Sequence, residues 1–208
     1  MKKINFGILI FLLVITSCRN KKDKSKDYFP VLSFIKSQVA HVDTSLYPII
    51  KIIRIDSTTD TSYIRREDFR KEARDFLDLP DLAEKKYSKL YTEDRIYDES
   101  MNRVIITYLP AKDDLDIQRQ EVVIAPGNGE EDKVKSFIIN TRKAAGDSTI
   151  IKKLLWLVNE SFQVVTTVQK NNQPDFIITT EVIWNRSPDK EEELKAEAID
   201  SSHLHHKK

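Results

Sequence analysis

One cysteine, four histidines and several runs of carboxylates are the side chains in this 208-residue chain that could do chemistry. Cys18 is the only thiol, and it stands at the end of an apolar run behind Thr16 and Ser17. A nucleophilic cysteine or serine needs a base beside it, and histidine is scarce. His41 is the one histidine within the stretch that reads as a folded domain, at the edge of an apolar helix face beside Val39 and Val42. At such an edge an imidazole is expected to be solvated rather than catalytic. No nucleophile-elbow sequence is present. His203, His205 and His206 cluster near the C-terminus. Neighbouring imidazoles bind Zn²⁺, Cu²⁺ or Ni²⁺. A structural site wants four placed ligands with outer partners, so the tail is expected to bind metal weakly and adventitiously. No cofactor is assigned.

Carboxylates are plentiful, as in Asp113-Asp114-Leu115-Asp116 and Glu130-Glu131-Asp132. Glycoside hydrolysis needs two of them across a cleft, but these fall in expected hairpin loops, where acidic residues are usually solvated. Neither run matches an EF-hand loop. Gly127-Asn128-Gly129 is too short to cradle a phosphate, and P-loop and dinucleotide fingerprints are absent. Tyr87, Tyr91 and Tyr108 fall on neighbouring expected strands. They would make an aromatic binding surface if outward, and otherwise cover a sheet edge or complete a core, which is the favoured reading. Asp56-Ser57-Thr58 and Asp147-Ser148-Thr149 resemble the acceptor for periplasmic O-glycosylation in some bacteria. Turn and N-cap chemistry accounts for the same residues.

The thiol's setting is more specific. Lys2 and Lys3 precede an apolar stretch from Phe6 to Ile15, the length of a secretory leader core. A transmembrane helix needs about 20 apolar residues, and Arg19 stops this run first. Ile15-Thr16-Ser17-Cys18 resembles the lipobox of bacterial lipoproteins, with isoleucine where leucine is commonest. In that family the cysteine thiol receives diacylglycerol, the leader is cleaved before it, and the new N-terminus is usually acylated. The resemblance thus implies removal of residues 1–17 and a lipid on Cys18. At ~0.8 kcal/mol per buried CH₂, one acyl chain binds marginally and two or three hold firmly. An acylated Cys18 leaves neither a free thiol nor a disulfide, so packing alone must stabilise the domain.

Residues 18–27 read as the lipidated cysteine and a flexible basic tether, with no apolar residue from Arg19 to Asp27. Nine extended residues reach roughly 30 Å. Five basic residues there could lie on anionic head groups, although a solvated spacer is favoured. Aspartate after the cysteine resembles an inner-membrane retention signal in some bacteria, and acidic runs resemble surface-export signals in others. Arg19-Asn20 matches neither, so the expected location is the outer membrane, facing the periplasm. The whole chain has 34 basic and 33 acidic residues. Losing Lys2 and Lys3 leaves it near neutral, with no electrostatic footprint for nucleic acid.

The expected domain spans residues 28–185. A first helix starts at Pro30 and ends near Asp43, with Val31, Leu32, Ile35, Val39 and Val42 on one face. Ile49 to Ile55 reads as a strand, Asp56 to Asp60 as a turn, and about Arg66 to Leu77 as a second helix. Period-two patterns then predict strands over Tyr87–Tyr97, Arg103–Leu109, Ile117–Ala125 and Lys133–Thr141, antiparallel because their loops are short. Ile150 to Val158 fits a short helix capped by Asp147-Ser148-Thr149, and also fits a strand. Phe162–Gln169 and Phe176–Trp184 close the sheet. The fold class is therefore α+β, two N-terminal helices packed on a mainly antiparallel β-meander. Residues 186–208 read as a charged, disordered tail.

The absence of a catalytic constellation favours a non-catalytic lipoprotein, bound to the membrane through Cys18 and to an envelope protein, polymer or small ligand through its domain. Beyond the lipobox the domain resembles bacterial envelope lipoproteins in general layout only. The alternatives are an envelope hydrolase with carboxylates that sequence cannot pair, and a metal-handling protein using His203, His205 and His206.

Overall fold

The computed structural model describes residues 27–127, 129 and 131–185. The leader, Cys18, the tether up to Lys26 and the tail with its three histidines lie outside them.

Alternating apolar residues fold into nine strands: β1 (Ile49–Ile55), β2 (Thr58–Ile64), β3 (Tyr91–Asp98), β4 (Arg103–Pro110), β5 (Ile117–Ala125), β6 (Lys133–Ala145), β7 (Ser148–Leu157), β8 (Ser161–Lys170) and β9 (Phe176–Ile183). They form one antiparallel sheet in the order β2-β1-β9-β8-β7-β6-β5-β4-β3. From β3 onward it is a meander. The earlier β1–β2 hairpin joins at β9, so β2 and β3 are the two edges.

One face carries Val122, Phe137, Trp156, Phe162 and Val182 directly across from one another on five successive strands. All five are buried. Helix α1 (Val31–Thr44) lies on this face and buries Val31, Ile35, Val39 and Val42. Pro30 precedes its first turn, where a missing N–H costs nothing, and its carbonyl accepts from Phe34 N (3.0 Å). Phe34 meets Phe137 edge-on at 5.3 Å. Helices α2 (Arg66–Glu72) and α3 (Arg74–Leu77) deliver Phe69 to Trp184 (5.1 Å) and Phe76 to Trp156 (5.1 Å). Each such burial is worth roughly 1.5–3 kcal/mol. Lys51 on β1 pairs with Glu72 at 2.8 Å, tying α2 to the sheet. The opposite face carries no helix among the described residues. There Ile52 and Ile183 are buried between neighbouring side chains, and Arg54 pairs with Glu181 at 3.1 Å.

The chain is thus mainly antiparallel sheet with a few helices; three expectations need correction and one open alternative is decided. The helix expected over residues 66–77 is two segments. At Ala73 ψ is 5°, which breaks the ladder between α2 and α3. The strand expected from Tyr87 begins at Tyr91, because residues 85–88 form one helical turn, α4 (Lys85–Ser88). Tyr87 N and Ser88 N both donate to Glu84 O at 2.9 Å. Among the described residues four helical segments therefore stand where two helices were expected. The segment that fitted both helix and strand is strand β7, Ser148–Leu157, with Val158 already in the next turn: Gly146, at φ 63°, makes a two-residue turn with Asp147, and Leu154 and Trp156 pair with Ile139 and Phe137. Finally, Thr58 to Asp60 belong to a strand, not a turn. Only Asp56 and Ser57 turn, with Asp56 at φ 50°, and Thr58–Ile64 pairs with β1 throughout.

Candidate functional site

Two clefts are lined by the described residues. The larger, about 370 Å³, sits at the β1–β2–β9 corner and is lined by Tyr47, Pro48, Ile50, Tyr63, Ile183, Trp184 and Asn185. None of these side chains is charged. Its floor is rigid: Trp184 is buried, packs 5.2 Å from Trp156, and donates its backbone N–H to Glu160 O at 3.0 Å. Ile183, Ile50 and Tyr63 stand side by side on three adjacent strands, on the face without helices.

The rim is held by Arg66. Its guanidinium donates to Val42 O (3.0 Å), Ser45 Oγ (2.8 Å) and Tyr47 O (3.3 Å). This clamp fixes the turn from α1 into β1, and so fixes where Leu46 and Tyr47 project. Leu46 is 95% exposed, Tyr63 77% and Tyr47 61%. Single exposed apolar residues are ordinary. Tyr47 and Tyr63 both line this one cleft, and exposed aromatic rings gathered at a concave site are the usual mark of a binding surface. Tyrosine suits such a surface, with an apolar body and a hydrogen-bonding tip. Chemically the corner can hold an apolar or aromatic group and satisfy a polar one at its rim.

The second cleft, about 280 Å³, lies where α3 meets β6 and β7. It is lined by Asp75, Asp78, Leu79, Asp116, Thr141, Lys143, Ile150, Lys152 and Leu154. Lys152 Nζ holds Asp75 Oδ1 at 2.5 Å, so one carboxylate is already neutralised. The remaining acidic and basic groups suit a polar ligand. Of the acidic runs expected from sequence, Asp116 reaches this cleft, whereas Asp113 and Asp114 are exposed in the β4–β5 loop outside it. Asp132 accepts from Gly127 N at 3.0 Å and acts as a loop brace.

His41 is exposed on α1 and lines neither cleft. Among the described residues no group of three or more His, Cys, Asp or Glu is placed to hold a metal. Cys18, His203, His205 and His206 lie outside those residues. Tyr91 and Tyr108 are core, not surface. The Tyr28 ring meets that of Tyr108 at 4.7 Å, tilted by 48°, and the Tyr28 hydroxyl donates to Tyr91 O at 2.6 Å. Phe29 N donates to Tyr108 Oη at 2.9 Å. Burial pushes both the Tyr91 and Tyr108 phenols up to about 12. Ser148 Oγ donates to Ala145 O at 2.8 Å, a turn contact and not a helix cap.

Sequence reasoning missed the corner. Leu46-Tyr47-Pro48 and Thr61-Ser62-Tyr63 are far apart in the chain and carry no motif. The one signal was apolar residues, Leu46 and Tyr63, standing outside any amphipathic pattern. No family model, curated protein or solved structure matches this chain.

Proposed function

We propose that this protein is a lipid-anchored component of a bacterial cell envelope, acylated on Cys18, whose domain is a non-catalytic interaction module. The anchor belongs to the outer membrane and holds the domain on the periplasmic side. A partner protein or envelope polymer binds at the Tyr47–Tyr63 corner.

The observation that carries the reading is the polarity of the sheet. Tyr28 and Phe29, which follow the tether, dock on Tyr91 and Tyr108 at the β3–β4 end. The uncharged aromatic corner is at the other end, eight strand steps away. Helix α1 joins the two places directly, and its 14 residues span about 21 Å. A membrane-tethered domain attached at one edge thus presents its apolar patch away from its attachment.

Two measurements test this. Cys18→Ala moves the protein from an envelope fraction that resists high salt into the soluble fraction. A photo-reactive residue at position 63 gives a discrete adduct in intact envelopes, and one at exposed Ile96 on β3 does not. A native protein that washes off in salt would remove the anchor, and no adduct at 63 would remove the corner. The second cleft favours one other reading, a hydrolase using Asp78 and Asp116. Its test is turnover of envelope polymer fragments that Asp116→Asn abolishes.

A further inference from the structure

The β2 edge borders the corner cleft, and its backbone is arranged to accept another strand. Ile55 and Thr58 flank a two-residue turn, so they form a hydrogen-bonded pair. Antiparallel ladders alternate. Thr58, Asp60, Ser62 and Ile64 therefore direct their N–H and C=O groups at β1. Thr59, Thr61 and Tyr63 direct theirs away from the sheet. Among the described residues no strand lies beyond β2. Thr58 to Tyr63 are all exposed.

The edge lacks the features that usually block strand addition. It has no proline, no lysine, no bulge against β1, and Asp60 is its one charge. It is also complementary to itself. An antiparallel copy centred on Thr61 sets Thr61 against Thr61, Thr59 against Tyr63 and Asp60 against Ser62. All three outward residues then fall in hydrogen-bonded pairs, two bonds to each pair and six in all. Centring on Asp60 leaves four such bonds and sets two carboxylates face to face, which is destabilising. Centring on Ser62 also leaves four. One register is thus favoured by both the bond count and the charge.

We infer that β2 pairs antiparallel with β2 of a second copy of this chain about a two-fold axis at Thr61, continuing the sheet from one subunit into the next. This rests on the corner being the interaction surface and names its occupant. The interface is isologous, as closed dimers require, and it removes the sheet edge that the described side chains leave open.

The experiment uses the full chain, produced with its own leader and oxidised in intact envelopes. In a hydrogen-bonded antiparallel pair the two Cα atoms at position 61 lie about 5.5 Å apart, within disulfide range. Those at position 60 sit roughly 8 Å apart, outside it. Thr61→Cys is expected to give at least tenfold more disulfide dimer than Asp60→Cys. In detergent solution the native chain is expected to be a dimer and Thr61→Pro a monomer, because proline there removes an outward N–H and leaves the β1 ladder intact. Equal yields at positions 60 and 61, or a native monomer, overturn the pairing. A disulfide at 61 that forms only after deletion of residues 186–208 puts this chain's own tail on the edge and also overturns it. A discrete adduct of another mass from position 63, without disulfide at 61, overturns the pairing but leaves the interaction corner standing. The cysteine pair keeps the test decisive if Thr61→Pro fails to fold.

Discussion

The sheet's two edges are managed differently. In β3 four of eight residues are charged, Glu93, Asp94, Arg95 and Asp98, and its outward Tyr91 carbonyl is taken by the Tyr28 hydroxyl. In β2 one of seven residues is charged, and the described residues cover none of its outward groups. Arg95 pairs with Glu93 at 2.7 Å across the β3 edge, so another strand approaching there would have to strip water from both ions. An approach to β2 meets one ion, Asp60, and otherwise only backbone groups and the hydroxyls of threonine, serine and tyrosine. Among the described residues the closing interactions therefore lie on the edge where Tyr28 docks, and the far edge is left available. That asymmetry suits the binding module proposed above.

The comparison can be broken most sharply at Tyr28. If the β3 edge is closed by packing, Tyr28→Ala removes a buried ring and its hydrogen bond, and costs about 3–5 kcal/mol in urea unfolding. A loss below about 1 kcal/mol means that the N-terminal segment is not what closes that edge. Tyr108→Phe is a finer version. It keeps the ring but leaves Phe29 N–H without its acceptor, an expected loss of about 1–2 kcal/mol.

The same edge should be sensitive to alkali. Tyr91 and Tyr108 titrate near 12 in the fold and near 10 when unfolded. A raised folded value means the unfolded chain gives up these protons first. Stability is therefore full below pH 10 and falls as pH rises from about 10 to 12. Thermal melts across that range should flatten in Tyr91→Phe and Tyr108→Phe relative to the native chain. An unchanged slope would show that the two phenols are solvated.

The smallest effect belongs to the open edge. Tyr63→Ala is expected to change stability by no more than about 0.5 kcal/mol, as exposed positions do, and yet to abolish partner binding at the corner. A large loss of stability instead would make Tyr63 part of the fold, and the contrast between the edges would fail.

Where period and burial coincide, the sequence was legible. Val31, Ile35, Val39 and Val42 mark α1 because helical spacing puts them on one face, and that face has a sheet to bury against. The β4–β5 and β8–β9 pairs follow from alternation and short loops. β7 was ambiguous because Ile150, Ile151, Leu154 and Leu155 satisfy both periods. Trp156 lying between Phe137 and Phe162 decided it, through partners that are distant in the chain. β2 was unreadable because a threonine-rich edge strand buries nothing and so shows no alternation.

By itself the sequence carries the expectation of a leader, a tether and a lipid-bearing thiol, since that expectation depends on local composition and short spacing. It also set the mainly antiparallel character of the domain. Only the tertiary structure decided that β1 docks on β9, which makes β2 an edge and gathers Tyr47, Tyr63 and Trp184 around one cleft. Strand order depends on the total burial of all nine strands together, and no local stretch of residues encodes it.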